Sequence, residues 1–303
     1  MPKRRARSVK LDTLFGKTFG VLDDGFVRII DYLGTDASVV QAAKVSYGKG
    51  TKTILDDSKL IRFLMRNRHT SPFEMCELKL HVRVPMDCWQ QWIRHRTASV
   101  NEYSTRYSIA IDAARCTKPS EWRIQSTENR QGSNGKIDVN NGKMLSEREF
   151  NIQSACRETY EERLKIGVAR EQARKDLPLS TYTEAYWKID LHNLLHFLEL
   201  RMNPLAQYEI RQYANIIGHQ IVYKWVPITW EAFLDYRLNA LTISKTETKY
   251  LALLNSGKQN EIIAQMQNNG WLQSDKNVLK PNREAAEFAA KLERLGLKIP
   301  WLT

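Results

Sequence analysis

The segment Glu77-Leu78-Lys79-Leu80-His81-Val82-Arg83-Val84 alternates without a break. Leu78, Leu80, Val82 and Val84 fall on one face of an extended chain, and Glu77, Lys79, His81 and Arg83 on the other. That is the pattern of a half-buried antiparallel strand, because strands of parallel sheets are covered on both faces and read as continuous apolar runs. Pro85 ends the strand and suits the first turn of a short helix, Met86–Ile93. Upstream, the apolar stretch Phe19–Tyr32, interrupted by Asp23-Asp24-Gly25, predicts a β-hairpin. Ser38–Ser46 and Asp57–Arg66 read as helices.

Downstream, Thr181–Ile189 predicts a second strand, followed by a helix from near Asp190 to near Arg201. Asn203-Pro204 offers an N-cap and a first-turn proline for a long helix to about Trp225. Ser146-x-x-Glu149 reads as a capping box for a helix carrying Ile152, Cys156, Tyr160, Leu164 and Val168 on one stripe, with Leu177-Pro178 as its stop. Residues 117–145 are polar, with Gly132, Gly135, Gly142 and two Asn-Gly pairs, and read as a surface insertion. Beyond residue 241 three helical segments are expected, the last from about Asn282 to Leu295 with Gly296 as its stop.

The chain has 303 residues, which leaves one large domain or two ordinary ones open. A hydrophobic fraction of 42% with 26% charged residues is that of a globular chain. No apolar run approaches the ~18 residues of a membrane span, so no membrane partner is expected. Lys+Arg 46 against Asp+Glu 34 gives +12, which excludes a strongly acidic solvating protein and points to polyanions or anionic small molecules. Five of those cations (Lys3, Arg4, Arg5, Arg7, Lys10) sit in a basic arm over residues 1–12, with no apolar segment of a secretory signal behind them. The expected location is the cytoplasm. Cys76, Cys88, Cys116 and Cys156 form no CxxC pair and read as reduced thiols rather than a disulfide or zinc framework.

The densest polar run is Arg94-His95-Arg96-Thr97-Ala98-Ser99-Val100-Asn101-Glu102-Tyr103-Ser104-Thr105-Arg106-Tyr107. Neighbouring side chains on a helix or strand diverge, so Arg94, His95 and Arg96 can address one region only where the backbone turns. Arginine suits such a place because its planar fork matches phosphate oxygens. An interfacial salt-bridge cluster is the plainer alternative. A nucleic-acid-binding surface would need basic residues along one helix face or interleaved aromatics, and this run has neither. His192 and His196 share a helix face, but there is no HExxH and Asp190 lies off that face, so no metal site is expected.

Arg94-His95-Arg96, seven residues, then Ser104, with Asn101-Glu102 and Arg106-Tyr107 in place, resembles the signature of the flavin-dependent thymidylate synthases at every fixed position. His69-Thr70-Ser71-Pro72-Phe73-Glu74, Val168–Arg174, Asp190–Arg201 and Ala206–Ile210 are similar to further segments of that family. The resemblance spans roughly residues 15–235, apart from 117–145. It implies an α+β fold with a central antiparallel sheet flanked by long helices. It also implies one catalytic domain over 13–240, holding the 117–145 insertion, with a helical C-terminal extension over 241–303. The stretches 69–106 and 174–201 must meet at one cofactor.

The implied activity is that of a methyltransferase of dTMP biosynthesis, the reductive methylation of dUMP to dTMP. FAD is the implied cofactor, with NAD(P)H, as NADPH, and 5,10-methylenetetrahydrofolate as co-substrates. The implied assembly is a homotetramer with active sites shared between subunits, and no nucleic acid is expected as a partner. For dUMP the resemblance points to Gln91, Trp92, Ile93, Arg94, Glu102, Tyr103, Ser104, Thr105, Arg106, Arg174 and Arg201. Arg201 is the implied catalytic group, its guanidinium stabilising charge on the uracil ring. Ser104 is implied as a ligand rather than a nucleophile. For FAD the resemblance points to Ser71, Arg94, His95, Arg96, Glu102, Asp190, Leu191, His192 and His196, with His69 nearby.

Overall fold

The computed structural model describes residues 6–45, 57–126, 132–275 and 278–302. The chain forms two units, Met1–Leu238 and Asn239–Thr303.

The first unit begins with helix α1 (Val9–Asp12) and the hairpin of strands β1 (Thr18–Val21) and β2 (Gly25–Leu33), turning at Asp23-Asp24 as the sequence predicts. Helices α2 (Asp36–Val45), α3 (Asp57–Arg66) and α4 (Ser71–Glu74) lead to strand β3 (Glu77–Pro85) and helix α5 (Met86–Trp92). Strand β4 (Ser99–Glu102) and a small hairpin, β5 (Arg123–Gln125) with β6 (Ser133–Lys136), precede the long helix α6 (Val139–Ile166). Helix α7 (Arg170–Ala173), strand β7 (Tyr182–Asp190) and helices α8 (Leu191–Arg201) and α9 (Tyr208–Ile216) follow. A π-helical stretch, Ile217–Val222, continues α9 into α10 (Tyr223–Trp225), and α11 (Pro227–Phe233) with a second π-helical stretch, Leu234–Leu238, closes the unit.

The sheet order is β1-β2-β3-β7-β4, antiparallel throughout, so the α+β class holds. The alternation of β3 is met residue by residue: Leu78, Leu80, Val82 and Val84 are all buried while their neighbours are half-exposed. Beneath that face lies an aromatic core. Trp92 meets Trp187 edge-on at 5.1 Å, Phe197 at 4.9 Å and Tyr213 at 5.7 Å, tying α5, β7, α8 and α9 together. Burial of this much aromatic surface is the main stabilising contribution available to the unit.

Several boundaries differ from expectation. The helix assigned to Ser146-x-x-Glu149 begins eight residues earlier, because the Asp138 side chain already accepts hydrogen bonds from the amides of Asn140 and Asn141. Ser146 and Glu149 instead hold Thr117 from inside the helix. Gly142 lies within that helix despite its low propensity, since a Cβ there would meet the Pro119 carbonyl oxygen at 2.1 Å. The segment 117–145 is therefore a hairpin and a helix start packed on one another, with residues 127–131 outside the described set. The helix ends at Gly167, in the left-handed region, and not at Leu177-Pro178. Of its expected stripe Tyr160 is buried, whereas Ile152 is 60% exposed.

Asn203-Pro204 opens no helix. Asn203 Oδ1 accepts from the Leu205 amide in a turn, and α9 starts at Tyr208. Of the basic arm, residues 1–5 lie outside the described set, and the chain docks from Ser8 onward, whose Oγ donates to the Lys224 carbonyl while Leu11 is buried. Asp36 starts α2 and, from the core, accepts from the amides of Ile228 and Thr229 and from Thr229 Oγ1. It thereby caps α11.

The second unit comprises α12 (Lys245–Asn255), α13 (Gln259–Asn268), the hairpin β8 (Leu272–Asp275) with β9 (Val278–Pro281), and α14 (Arg283–Arg294). The three helices were expected and the hairpin was not. Tyr250, Ile262, Met266, Trp271, Phe288 and Leu292 form its own core. No helix among the described residues is long and apolar enough to cross a membrane.

Candidate active site

Strand β7 delivers Asp190 to the N-terminus of α8, where its carboxylate accepts from the Asn193 amide at 3.0 Å and from Asn193 Nδ2 at 2.7 Å. Asp190 is thus occupied as a helix cap. Along α8, Leu191, Leu194, Leu195, Phe197 and Leu198 are buried, leaving His192, Asn193, His196, Leu200 and Arg201 on the outer face. Opposite, the end of α5 unwinds through two tight bonds, Arg94 N to Gln91 O and His95 N to Trp92 O. This is the backbone turn that the Arg-His-Arg run requires.

Arg94, His95, Arg96 and Thr97 then share one cleft with Asn193, His196 and Arg201, floored by Ile189 and Leu200. Arg201 Nε donates to His95 Nε2 at 3.0 Å, so the His95 proton resides on Nδ1. The His95 ring stands edge-on to Phe197 at 4.9 Å and to His196 at 6.0 Å. Burial first, then the Arg201 cation and His196, depress the His95 pKa to about 4. The imidazole is therefore neutral near pH 7. Burial also lowers Arg201, a guanidinium partly stripped of water and short of countercharge.

On the other side of α8, Leu64, Phe73, Leu195 and Phe233 wall an apolar recess reached by His69, Thr70 and His192, with Arg68 and Arg237 around it. His196 borders both spaces. A cationic cleft adjoining an apolar recess matches the two ends of a flavin dinucleotide: arginine forks for phosphates, and a dry wall for the ring system. The residues present fit FAD on these grounds.

The remaining expected ligands form a second group. Arg174 Nη1 donates to Thr105 Oγ1 at 2.6 Å, Arg106 pairs with Glu171 at 3.4 Å, and Arg170 bonds the Tyr107 carbonyl. Ser104 heads the turn that holds these residues, its Oγ accepting from the Arg106 amide at 3.4 Å, and no imidazole or carboxylate bonds it among the described residues. Tyr103 Oη donates to the Ile109 carbonyl. Glu102, on the edge strand β4, accepts from Thr183 Oγ1 at 3.0 Å. Gln91 donates to Gln207, which in turn donates to Asp87. None of Gln91, Glu102, Ser104, Thr105, Arg106 and Arg174 lines the Arg201 cleft.

Two expected contacts take a different form. The side chains of Trp92 and Leu191 are wholly buried in the core, so only their backbones can reach a ligand. Ile93, by contrast, is exposed, as is Ser71 at the start of α4, which borders neither space. The sequence reading passed over Asn193, Thr97 and Leu200. Asn193 could have been found from its spacing, since 193, 196 or 197, and 200 or 201 fall on one helix face. Among the described residues no cluster of His, Cys, Asp or Glu could hold a metal. Burial raises the thiols of Cys76, to about 12, and of Cys88 and Cys116, so none of these three is a ready thiolate.

Residues 28–228 match the family described as thymidylate synthase complementing protein. The chain is 48% identical over 249 residues to the flavin-dependent thymidylate synthase of Wolbachia pipientis wMel, covering 82% of this chain and 87% of that one. It is 51% identical to the enzyme of the same description from Gluconobacter oxydans, covering 77% and 78% of the two chains. A crystal structure of the UMP/dUMP methylase PolB from Streptomyces cacaoi, bound with 5-Br UMP, superimposes with a TM-score of 0.63 at 31% identity, over 72% of this chain and 97% of that one. With the arginine-lined cleft and its apolar neighbour, these likenesses decide the matter: the chain belongs to the flavin-dependent thymidylate synthases.

Proposed function

We propose that the Arg94–Arg201 cleft is where this enzyme carries out the reductive methylation of dUMP to dTMP. The carbon comes from 5,10-methylenetetrahydrofolate and the reducing equivalents from NAD(P)H. When bound, FAD supplies the redox step that no side chain can perform. Arg94, His95, Arg96, His192 and His196 are the residues that would hold it, with Arg94 and Arg96 toward its phosphates.

The chemical difficulty for the protein is that C5 of uracil is a weak nucleophile until negative charge builds in the ring. Arg201 meets this need. Its Nε is committed to His95, which fixes the guanidinium plane and leaves the terminal nitrogens as donors toward a uracil oxygen and N3. A cation partly desolvated before substrate arrives stabilises such charge strongly, because little reorganisation is needed when it develops. His95 contributes by staying neutral: a second cation there would repel Arg201 and remove the acceptor that orients it. No thiolate addition is required of the buried cysteines.

Ser104, Thr105, Arg106 and Arg174 supply the remaining dUMP contacts from another subunit of a homotetramer. The separation of these residues from the Arg201 cleft within one chain supports that reading. We further assign the catalytic domain to residues 13–240, the extension to 241–303, and the cytoplasm as the site of action.

The observation that carries the proposal is the Arg201–His95 hydrogen bond inside a cleft shared with Arg94 and Arg96. Its test is Arg201→Lys in the flavin-loaded enzyme. The variant should keep its flavin absorption band and lose dTMP formation about 10²- to 10³-fold, the usual cost of removing a preorganised charge-stabilising donor. Turnover at the parent rate would remove Arg201 from the mechanism.

A further inference from the structure

The unit Asn239–Thr303 has a core of its own and a construction that the catalytic chemistry leaves unused. Its first two helices, α12 and α13, are joined by only Ser256-Gly257-Lys258. The Lys258 amide bonds the Leu253 carbonyl and the Gly257 amide bonds the Leu254 carbonyl, with Gly257 at φ 70°. This glycine-dependent cap turns the chain sharply, and Lys258 at once becomes the N-cap residue of α13. A three-residue turn containing glycine is the connection length of a helix-turn-helix pair.

The rest of the unit braces that pair. Asn269 Nδ2 donates to Tyr250 Oη, locking the end of α13 onto α12. The β8–β9 hairpin follows α13 directly, in the position of a wing. Asn282 fastens its base: its amide bonds the Trp271 carbonyl, its Nδ2 the Gly270 carbonyl, and its Oδ1 caps α14 through the Ala285 amide. Helix α14 completes a three-helix core through Phe288 and Leu292.

The surfaces of the three helices differ in kind. Helix α13 buries Ile262 and Met266, and the residues diametrically opposite, Asn260, Ala264, Gln267 and Asn268, are all exposed. That face contains no large apolar group, and its one acid, Glu261, pairs with Lys258 at 3.2 Å. By contrast α14 carries the mixed charges of an ordinary solvated helix, with Arg283 paired to Glu287. Helix α12 exposes Lys245 and Lys249, one turn apart, while its single acid, Glu247, is buried against Lys291.

Lysines on the first helix, amides on the second and a hairpin after it are the parts with which a helix-turn-helix docks on duplex DNA. The second helix enters the major groove and the first meets the backbone. Amide side chains read adenine through paired donor and acceptor, a small alanine leaves room for a thymine methyl, and lysines meet phosphates. An acidic protein surface would use the cations but not the amides.

We propose that residues 239–303 are a duplex-DNA-binding module, with Asn260, Gln267 and Asn268 of α13 toward base edges and Lys245 and Lys249 of α12 on phosphates. For this region the proposal departs from the expectation of no nucleic-acid partner.

The test uses the full-length, flavin-loaded enzyme with a random-sequence DNA duplex pool and the sequences selected from it, followed by fluorescence anisotropy at about 50 to 200 mM salt. Binding should weaken linearly in log–log form with salt. The Lys245→Gln/Lys249→Gln pair should reduce the magnitude of that slope by about 1.8, two phosphate contacts' worth. Asn260→Ala and Gln267→Ala should each cut the preference for selected over random duplex about tenfold. All of these residues are exposed, so dTMP synthesis and the melting temperature should stay at parent values in every variant. Absence of duplex binding at the lowest salt overturns the proposal. So does binding that ignores these substitutions and disappears when Lys3, Arg4, Arg5 and Arg7 are replaced by serine, and so does equal binding of single-stranded RNA or polyglutamate.

Discussion

The two groups of proposed site residues are built in contrasting ways. Arg201 and the Arg94–Arg96 turn stand on helix ends seated in the Trp92, Trp187 and Phe197 core, and the hydrogen bond to His95 fixes their geometry within one chain. The Ser104–Arg106 turn and Arg174 lie on exposed loops, held by one short side-chain bond and a half-exposed ion pair. The first half is a finished cradle and the second is an offered hand. Charge stabilisation demands rigidity, whereas phosphate capture tolerates adjustment, so rigidity is placed where the chemistry requires it.

Removing the support under the first half should have the largest effect. Trp92→Ala deletes the centre of the aromatic cluster and should cost about 3–5 kcal/mol of stability, read by denaturant unfolding. A loss under 1 kcal/mol would mean that the α5 end does not depend on that core. The second half should fail more gently: Arg174→Ala removes one charge-assisted bond and should weaken dUMP binding about tenfold or more while leaving the flavin band intact.

Mixing Arg201→Lys with Arg174→Ala subunits sharpens the comparison further. If the two halves meet across subunits, some mixed sites receive both intact groups and activity returns. A mixture as inactive as its components would place both halves of each site in the same chain.

The pH response of the rigid half follows from His95. Its folded pKa, about 4, lies below the ordinary value of 6.5, so between those values the unfolded chain binds more protons. Stability from this group is therefore fully present above about pH 6.5, falls as the pH drops toward 4, and levels off below it. A His95 titration followed by NMR should show its midpoint near 4, and a midpoint near 6.5 would contradict the neutral, Arg201-bonded ring. The smallest expected change is at the helix cap. Asp190→Ala should cost about 1 kcal/mol, with flavin affinity little altered. A large loss of flavin at unchanged stability would instead make Asp190 a ligand.

What could be read from the sequence follows the range of the forces involved. The β3 alternation foretells its burial because a strand's period is a local property, and the demand for a turn at Arg94–Arg96 follows from the divergence of adjacent side chains. The start of α6 was missed because two capping signals compete, and Asp138 caps the helix while Ser146 and Glu149 are taken up by Thr117, a contact that adjacency does not reveal. Asn203-Pro204 failed for a similar reason, its side chain being taken up by a local turn. The four-residue strands of the β8–β9 hairpin are too short for periodicity to show. That Thr105 and Arg174 avoid the Arg201 cleft is decided by distances between elements far apart in sequence.

The cap that Asp36 provides to α11 has a consequence in time. Its carboxylate is buried and raised in pKa by that burial, and its donors come from residues 192 and 193 positions later. Ser8 likewise waits for a carbonyl 216 residues away. During synthesis the N-terminal helices and the hairpin emerge long before their partners exist, so the unit cannot close until nearly all of it has been translated. Such long closures make for slow folding. A polypeptide released before Pro227 lacks the donors that Asp36 needs and has an open core, with apolar surface by which quality control can tell an interrupted enzyme from a finished one.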